Sequence, residues 1–189
     1  MTAPSRVRLS VIIPCWGDTT RILSWIQPLW NRPHTEWIFS LASTPWESLP
    51  ELIRSHTWVC QHPTPNRGAQ LNQGAALARG DYLLFHHADS HLTEAHLQAL
   101  EDQMDNPGFQ AGAFYRKFDQ RHPELLFLEP CERWHCRNFG TLYGDQSLFV
   151  RSDIFKKTGG LSGISPARRR RTVRTTEKKT APSLFWIHL

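Results

Sequence analysis

No apolar run in this chain approaches the length that crosses a bilayer, and Met1–Arg8 contains no apolar signal segment. A cytoplasmic protein is the expectation. Cysteine is sparse: Cys15, Cys60, Cys131 and Cys136 are scattered, which argues against a disulfide framework in such a compartment. Apolar residues are not short. They make up 40% of the chain, with eight Trp and ten Phe, and this argues against a disordered protein. A length of 189 residues suits one domain with a core of its own.

Acidic residues are nearly missing from one end. Of 22 Lys and Arg and 17 Asp and Glu, residues 161–189 hold seven and one, leaving fifteen and sixteen for the first 160. The net charge of +5 therefore belongs to a basic tail. The near-neutral domain before it gives no electrostatic reason to expect nucleic acid.

The most informative stretch runs from Asn66 to Leu92. Asn66 is a helix N-cap, followed by the good helix formers Ala69, Ala75, Ala76, Leu77 and Ala78. Arg79 and Gly80 read as a helix ending, with a cation in the last turn and a glycine turning left-handed. Tyr82-Leu83-Leu84-Phe85 is apolar without alternation, as expected of a strand covered on both faces. Asp89 follows where that strand runs out, and ligands of open α/β sheets bind beyond the carboxyl ends of strands.

The remaining elements follow from pattern. Leu9–Pro14, Glu36–Leu41, Thr57–Cys60, Ala111–Arg116 and Ser147–Val150 read as strands. Thr19 or Thr20 caps a helix that Pro28 kinks or ends, and a short helix falls near Glu47–His56. Thr93 caps a helix to about Asp105 with Leu97 and Leu100 inward; Leu125–Asn138 and Ser152–Lys157 are further helices. Cys131 and His135 share a face at i, i+4, but two metal ligands without another pair favour ordinary packing.

The helix, then ARGDYLLFHHAD, resembles the nucleotide-sugar half of inverting family 2 glycosyltransferases. HAD at 87–89 and YGDQSLFVR at 143–151 are similar to the branch of radical-SAM/selenodomain-associated glycosyltransferases. The likeness spans roughly residues 9–160, is specific at 66–92 and 143–151, and is poor at 36–62. It implies an α/β fold of the GT-A type: a Rossmann-related mixed sheet flanked by helices, here with a truncated or irregular C-terminal part.

The resemblance also implies roles. Asp89, with His87 beside it, would hold a divalent cation (Mg²⁺ or Mn²⁺) bridging the donor's diphosphate, and His91 could assist. Asp18 would lie beside the nucleotide base; capping the first helix is the alternative. Arg67 in the first helical turn, with the free N–H groups there, would face the diphosphate, or simply solvent. Gln70 and Asn72 would take part in donor binding or anchor loops. Asp145 and Gln146 would face donor sugar or acceptor, with plain turn chemistry as the alternative. Asp145 is the only nearby candidate for the base.

Two departures stand out. The second strand ends in Ser40-Leu41-Ala42-Ser43-Thr44, without the carboxylate that holds base and ribose in the family. After Gly159-Gly160, where the family carries a Glu-Asp pair as general base, this chain runs into four arginines, Arg168–Arg171. The expectation is thus a domain at 1–160 and an atypical tail at 161–189, disordered or read out of frame. A genuine basic arm for acidic lipid or nucleic acid is the alternative. The function implied is transfer of a sugar from a nucleotide-diphosphate donor, metal-dependent and inverting, impaired if the base is lost. The alternative is a non-catalytic module that binds a nucleotide or nucleotide sugar. The acceptor stays open, including one at a membrane surface, and so does peripheral attachment to that surface.

Overall fold

The computed structural model describes residues 6–17, 22, 25–43, 51, 54, 58–115, 122–139, 146–161 and 184–187. Among the described residues, seven strands form one mixed sheet: β1 Leu9–Trp16, β2 Thr35–Ala42, β3 Trp58–His62, β4 Tyr82–Phe85, β5 Ala111–Phe114, β6 Leu148–Arg151 and β7 Leu184–Ile187. Their order is β3-β2-β1-β4-β6-β5-β7. β1, β2, β3 and β4 are mutually parallel, with Trp16 opposite Ala42 and Ile12 opposite Phe85. β6 inserts antiparallel between β4 and β5, with Leu148 opposite Phe85, and β7 runs parallel to β5.

Among the described residues, the helices with full bounds are α1 Arg67–Leu77, α2 Glu94–Met104, α3 Pro123–Phe139 and α4 Ser152–Lys157. Side-chain alternation along β1 explains its unbroken apolar reading. Leu9, Val11 and Ile13 face one core with Trp25, Ile26, Leu97 and Leu100, whereas Ile12 faces a second core with Leu71, Ala75 and Phe155. The sheet is buried on both faces, so the strand is apolar on both, and its one polar side chain, Ser10, has its hydroxyl bonded to Glu36 and to the Gly80 N–H.

Most expected caps and boundaries are observed. Asn66 Oδ1 accepts from the Ala69 N–H at 3.1 Å. Thr93 caps α2 in a reciprocal box, His96 returning the bond through its ring to the Thr93 N–H. Pro28 lies in a 3-10 turn, Gln27–Leu29, where the regular helix ends. The caps expected at Thr19 or Thr20 and most of the helix near 47–56 lie outside the described residues.

The ending expected at Arg79-Gly80 is corrected. α1 stops at Leu77 and Ala78 is already extended, so Arg79 is not a last-turn cation. Arg79 instead bonds Glu36 through both its backbone N–H and its guanidinium. Gly80 is not left-handed either. It is there for closeness: an added Cβ would lie 2.7 Å from the Ser10 nitrogen and 2.9 Å from the Leu9 carbonyl carbon. The strand that follows a helix must dock tightly on β1, and only a residue without a side chain allows it.

Of the expected basic tail, residues 162–183 and 188–189 lie outside the described residues, while Leu184–Ile187 forms β7.

Candidate functional site

The strand order reverses at β1: the chain builds outward to β2 and β3, then returns to place β4 on the other side of β1. Crevices at such switch points, beyond the carboxyl ends of the strands, are where open α/β sheets bind ligands. β6 is antiparallel to β4, so its amino end arrives at the same edge.

Three of the expected residues meet there. Arg67 opens α1, and burial followed by the opposing pull of Asp89 sets its pKa down to about 10. His87 is three-quarters buried or more; burial first, then Arg67, pushes its pKa down to about 4, with Asp89 pulling the other way. The ring is therefore neutral at pH 7, so its approach to Asp89, Nδ1 to Oδ1 at 3.8 Å, is a dipolar contact rather than an ion pair. Asp89 itself is 78% exposed. An exposed carboxylate, a neutral imidazole and a cation at a helix N-terminus thus share one strand end. His91, the suggested helper, is exposed in the same turn.

Gln70 and Asn72 have side-chain amides committed to the backbone. Gln70 is buried, and its Nε2 donates to Cys15 O at 3.0 Å and Ser40 O at 2.7 Å. It thereby ties α1 to the carboxyl ends of β1 and β2. Asn72 bonds both the N–H and the C=O of Leu161. Gln146 is buried, with Nε2 3.6 Å from the Cys136 sulfur on α3. Asp18 and Asp145 lie outside the described residues. On α3, Cys131 is exposed and the His135 ring packs on Phe139 with centroids 4.9 Å apart.

Among the described residues, no three His, Cys, Asp or Glu side chains cluster as a metal cage. The fit to a hard divalent cation is that of a shared site, in which one carboxylate serves beside substrate oxygens and water. Asp89 and His87 suit that use.

Two features were not picked out by sequence pattern. Trp16 is 72% exposed at the carboxyl end of β1, unusual for so large an apolar side chain beside a fully buried strand. Its position as the last residue of a β-branched run was the available signal. His86 is buried directly behind the HAD turn and bonds Ser147 and Ser90. Nothing in the local pattern separates it from its neighbour His87. Cys15, next to Trp16, is no nucleophile: burial pushes its thiol up to about 12.

Solved structures of similar shape include a mannosyltransferase and a glucosyl-3-phosphoglycerate synthase. TarS residues 1–349 of S. aureus superpose with a TM-score of 0.59 at 18% identity, covering 80% of this chain and 49% of that one. The mannosyltransferase PcManGT from Pyrobaculum calidifontis, in complex with GDP-Man and Mn²⁺, gives 0.60 at 14% identity, covering 84% and 49%. Glucosyl-3-phosphoglycerate synthase from Mycobacterium tuberculosis, with Mn²⁺, UDP-glucose and phosphoglyceric acid, gives 0.55 at 18%, covering 78% and 57%. Identities this low establish the GT-A fold alone, and the chain spans about half the length of these proteins. No curated protein matches in sequence. Residues 47–160, more than half of the chain, match the model of the family "Glycosyl transferase family 2", and the chain belongs to that family.

Proposed function

We propose that this domain binds a nucleotide-diphosphate sugar with a divalent cation and transfers the sugar to an acceptor hydroxyl with inversion. The observation that carries this reading is the convergence of Arg67, His87 and Asp89 at the carboxyl end of β4, beside the switch point. A cation held there, Mg²⁺ or Mn²⁺, would neutralise charge developing on the leaving diphosphate. Asp89 contributes the anionic oxygen and His87 a neutral nitrogen, a donor that tilts preference toward Mn²⁺. Arg67 and the N–H groups of the first turn of α1 take up the remaining phosphate charge. Gln70 serves this site indirectly, by holding the ends of β1 and β2 that border it.

Transfer requires the acceptor oxygen to attack the anomeric carbon from the side opposite the diphosphate. The hydroxyl proton passes to a base as the carbon–oxygen bond to the diphosphate breaks. Asp145, at the amino end of the segment leading to β6, is the candidate base. Trp16 offers a stacking face for the nucleotide base at the neighbouring strand end.

The second reading is a module that binds nucleotide or nucleotide sugar without turnover. One observation favours it: β2 ends in buried Leu41 and Ala42 followed by Ser43, with no carboxylate at that strand end among the described residues. Calorimetric titration with UDP and with GDP, with and without Mn²⁺, separates these from a bare fold. Mn²⁺-dependent binding that Asp89→Asn abolishes supports the donor site, and no binding of either nucleotide sinks both readings. Release of UDP or GDP from the matching sugar nucleotide in the presence of acceptor then separates transfer from binding.

A further inference from the structure

His86 lies 2% exposed between the HAD turn and the amino end of β6, and both of its ring nitrogens are engaged. Nε2 is 3.1 Å from Ser90 O, a carbonyl that can only accept, so Nε2 carries the proton. Nδ1 is then the lone-pair nitrogen, and the Ser147 hydroxyl, 2.6 Å away, donates to it. The edge of the Trp25–His86 pair, centroids 5.1 Å apart at 79°, leaves the ring little freedom to turn. Its own N–H extends the β1–β4 ladder by bonding Ile12 O.

We propose that His86 is a positioning residue, locking the turn that presents Asp89 to the segment that carries Gln146 and Ser147. Each ring nitrogen reaches a different side of the site. The Ser90 carbonyl anchors the turn 87–90 from outside, in addition to a 3.3 Å bond from the Ser90 N–H to His87 O, a 3.4 Å contact from Ser90 Oγ to Asp89 and the 3.8 Å approach of His87 Nδ1 to Asp89. The bonds within the turn are long, and the His86 bond to Ser90 O, at 3.1 Å, is shorter than any of them. Ser147 sits beside Gln146 and its carbonyl accepts from Phe114, which fixes it to β5. A buried histidine that merely filled the core would bond core elements. This one bonds a turn on one side and the entry to β6 on the other.

The inference rests on the donor-site reading for what the turn does, but not for whether His86 holds it. The test uses the full chain with His86→Ala, Ser147→Ala and Ser147→Thr, and Ser10→Ala as a control. Ser10 makes a comparable buried pair of bonds, to Glu36 and the Gly80 N–H, at the opposite end of the sheet. In amide hydrogen exchange without ligand, Ser147→Ala and His86→Ala are expected to speed exchange over residues 87–92 by about tenfold, Ser10→Ala not at all, and Ser147→Thr to restore protection. With Mn²⁺ and UDP or GDP, Ser147→Ala is expected to weaken binding by about fivefold and Ser147→Thr to recover it. Unchanged exchange over 87–92 in Ser147→Ala overturns the proposal, as does an equal acceleration in Ser10→Ala. If His86→Ala does not fold, the two Ser147 variants decide. If the parent chain binds neither nucleotide, the donor-site reading fails while the exchange experiment still rules on His86.

Discussion

Asn72 on α1 grips the peptide of Leu161 from both sides: Nδ2 donates to Leu161 O at 2.9 Å and Oδ1 accepts from Leu161 N at 2.8 Å. The two are 89 positions apart in the chain. Gly160 makes the grip possible, because it is left-handed at φ +90° and a Cβ there would meet Asn72 Oδ1 at 2.8 Å. The segment leaving α4 is thus pinned to the helix whose first turn carries Arg67. Asn72→Asp replaces the donor with a second acceptor facing Leu161 O. We expect a loss of about 1–3 kcal/mol in urea unfolding, because a half-buried carbonyl is left facing a carboxylate. Asn72→Asp at parental stability would mean that the grip carries no energy.

Glu36 is buried at the amino ends of β1 and β2, where it accepts from Ser10 Oγ and the Arg79 N–H at 2.6 Å each and from Arg79 Nε at 2.9 Å. Glu36→Gln keeps the volume and removes the charge that organises these donors. A loss of about 1–3 kcal/mol is expected, discounted because the arginine end is largely in water. Gly80→Ala strikes the same corner through backbone contacts that cannot move aside, and should cost about 1–3 kcal/mol. Both variants should retain the nucleotide affinity of the parent, since this corner is at the far end of the strands from Asp89. A large change in that affinity would contradict the location of the donor site.

These positions also mark how far the sequence could be read. Tyr82–Phe85, the Thr93 cap and the inward Leu97 and Leu100 were legible because their causes are local: an apolar run, a capping hydroxyl, a helical spacing. The specific strings at 66–92 and 143–151 pointed to the sugar-nucleotide fold for the same reason, being continuous. What escaped are pairings across the fold. Gln70 and Asn72 stand out on a helix as polar residues, but whether such an amide meets a ligand or a carbonyl is decided 55, 30 and 89 positions away. Arg79-Gly80 has the composition of a helix ending, yet its residues answer to Glu36 and Ser10 on neighbouring strands. The His86–Ser147 bond, 61 positions apart, is of the same kind.

Acid should weaken the fold through the two neighbouring histidines. Their folded pKa values lie at about 3 for His86 and about 4 for His87, against 6.5 unperturbed, both chiefly by burial. The unfolded chain therefore binds more protons below pH 6.5, and stability falls as pH drops from there toward 4. The slope is on the order of 1.4 kcal/mol per pH unit for each histidine, less where protonation of U is incomplete. Below about 4 the His87 contribution levels off, while that of His86 continues to about 3. Urea midpoints between pH 7 and 4.5 measure this. His87→Gln should remove close to half of the histidine part of the slope, and a slope equal to the parent's would mean that His87 is not buried as described.

Trp16 offers the sharpest separation of binding from folding. At 72% exposure its side chain contributes little to the core, so Trp16→Ala should leave the urea midpoint within about 0.5 kcal/mol of the parent. If it stacks on a nucleotide base, the same substitution should weaken UDP or GDP binding by about 1–3 kcal/mol, a factor of roughly five to 150. Trp16→Phe should recover most of that affinity, since a π-face remains. Titration calorimetry on the three proteins, with Mn²⁺ present throughout, gives the comparison. Equal affinity in all three would move the base away from the end of β1. The donor would then have to lie closer to α1 and β4, where Arg67 and a cation on Asp89 would hold its phosphates.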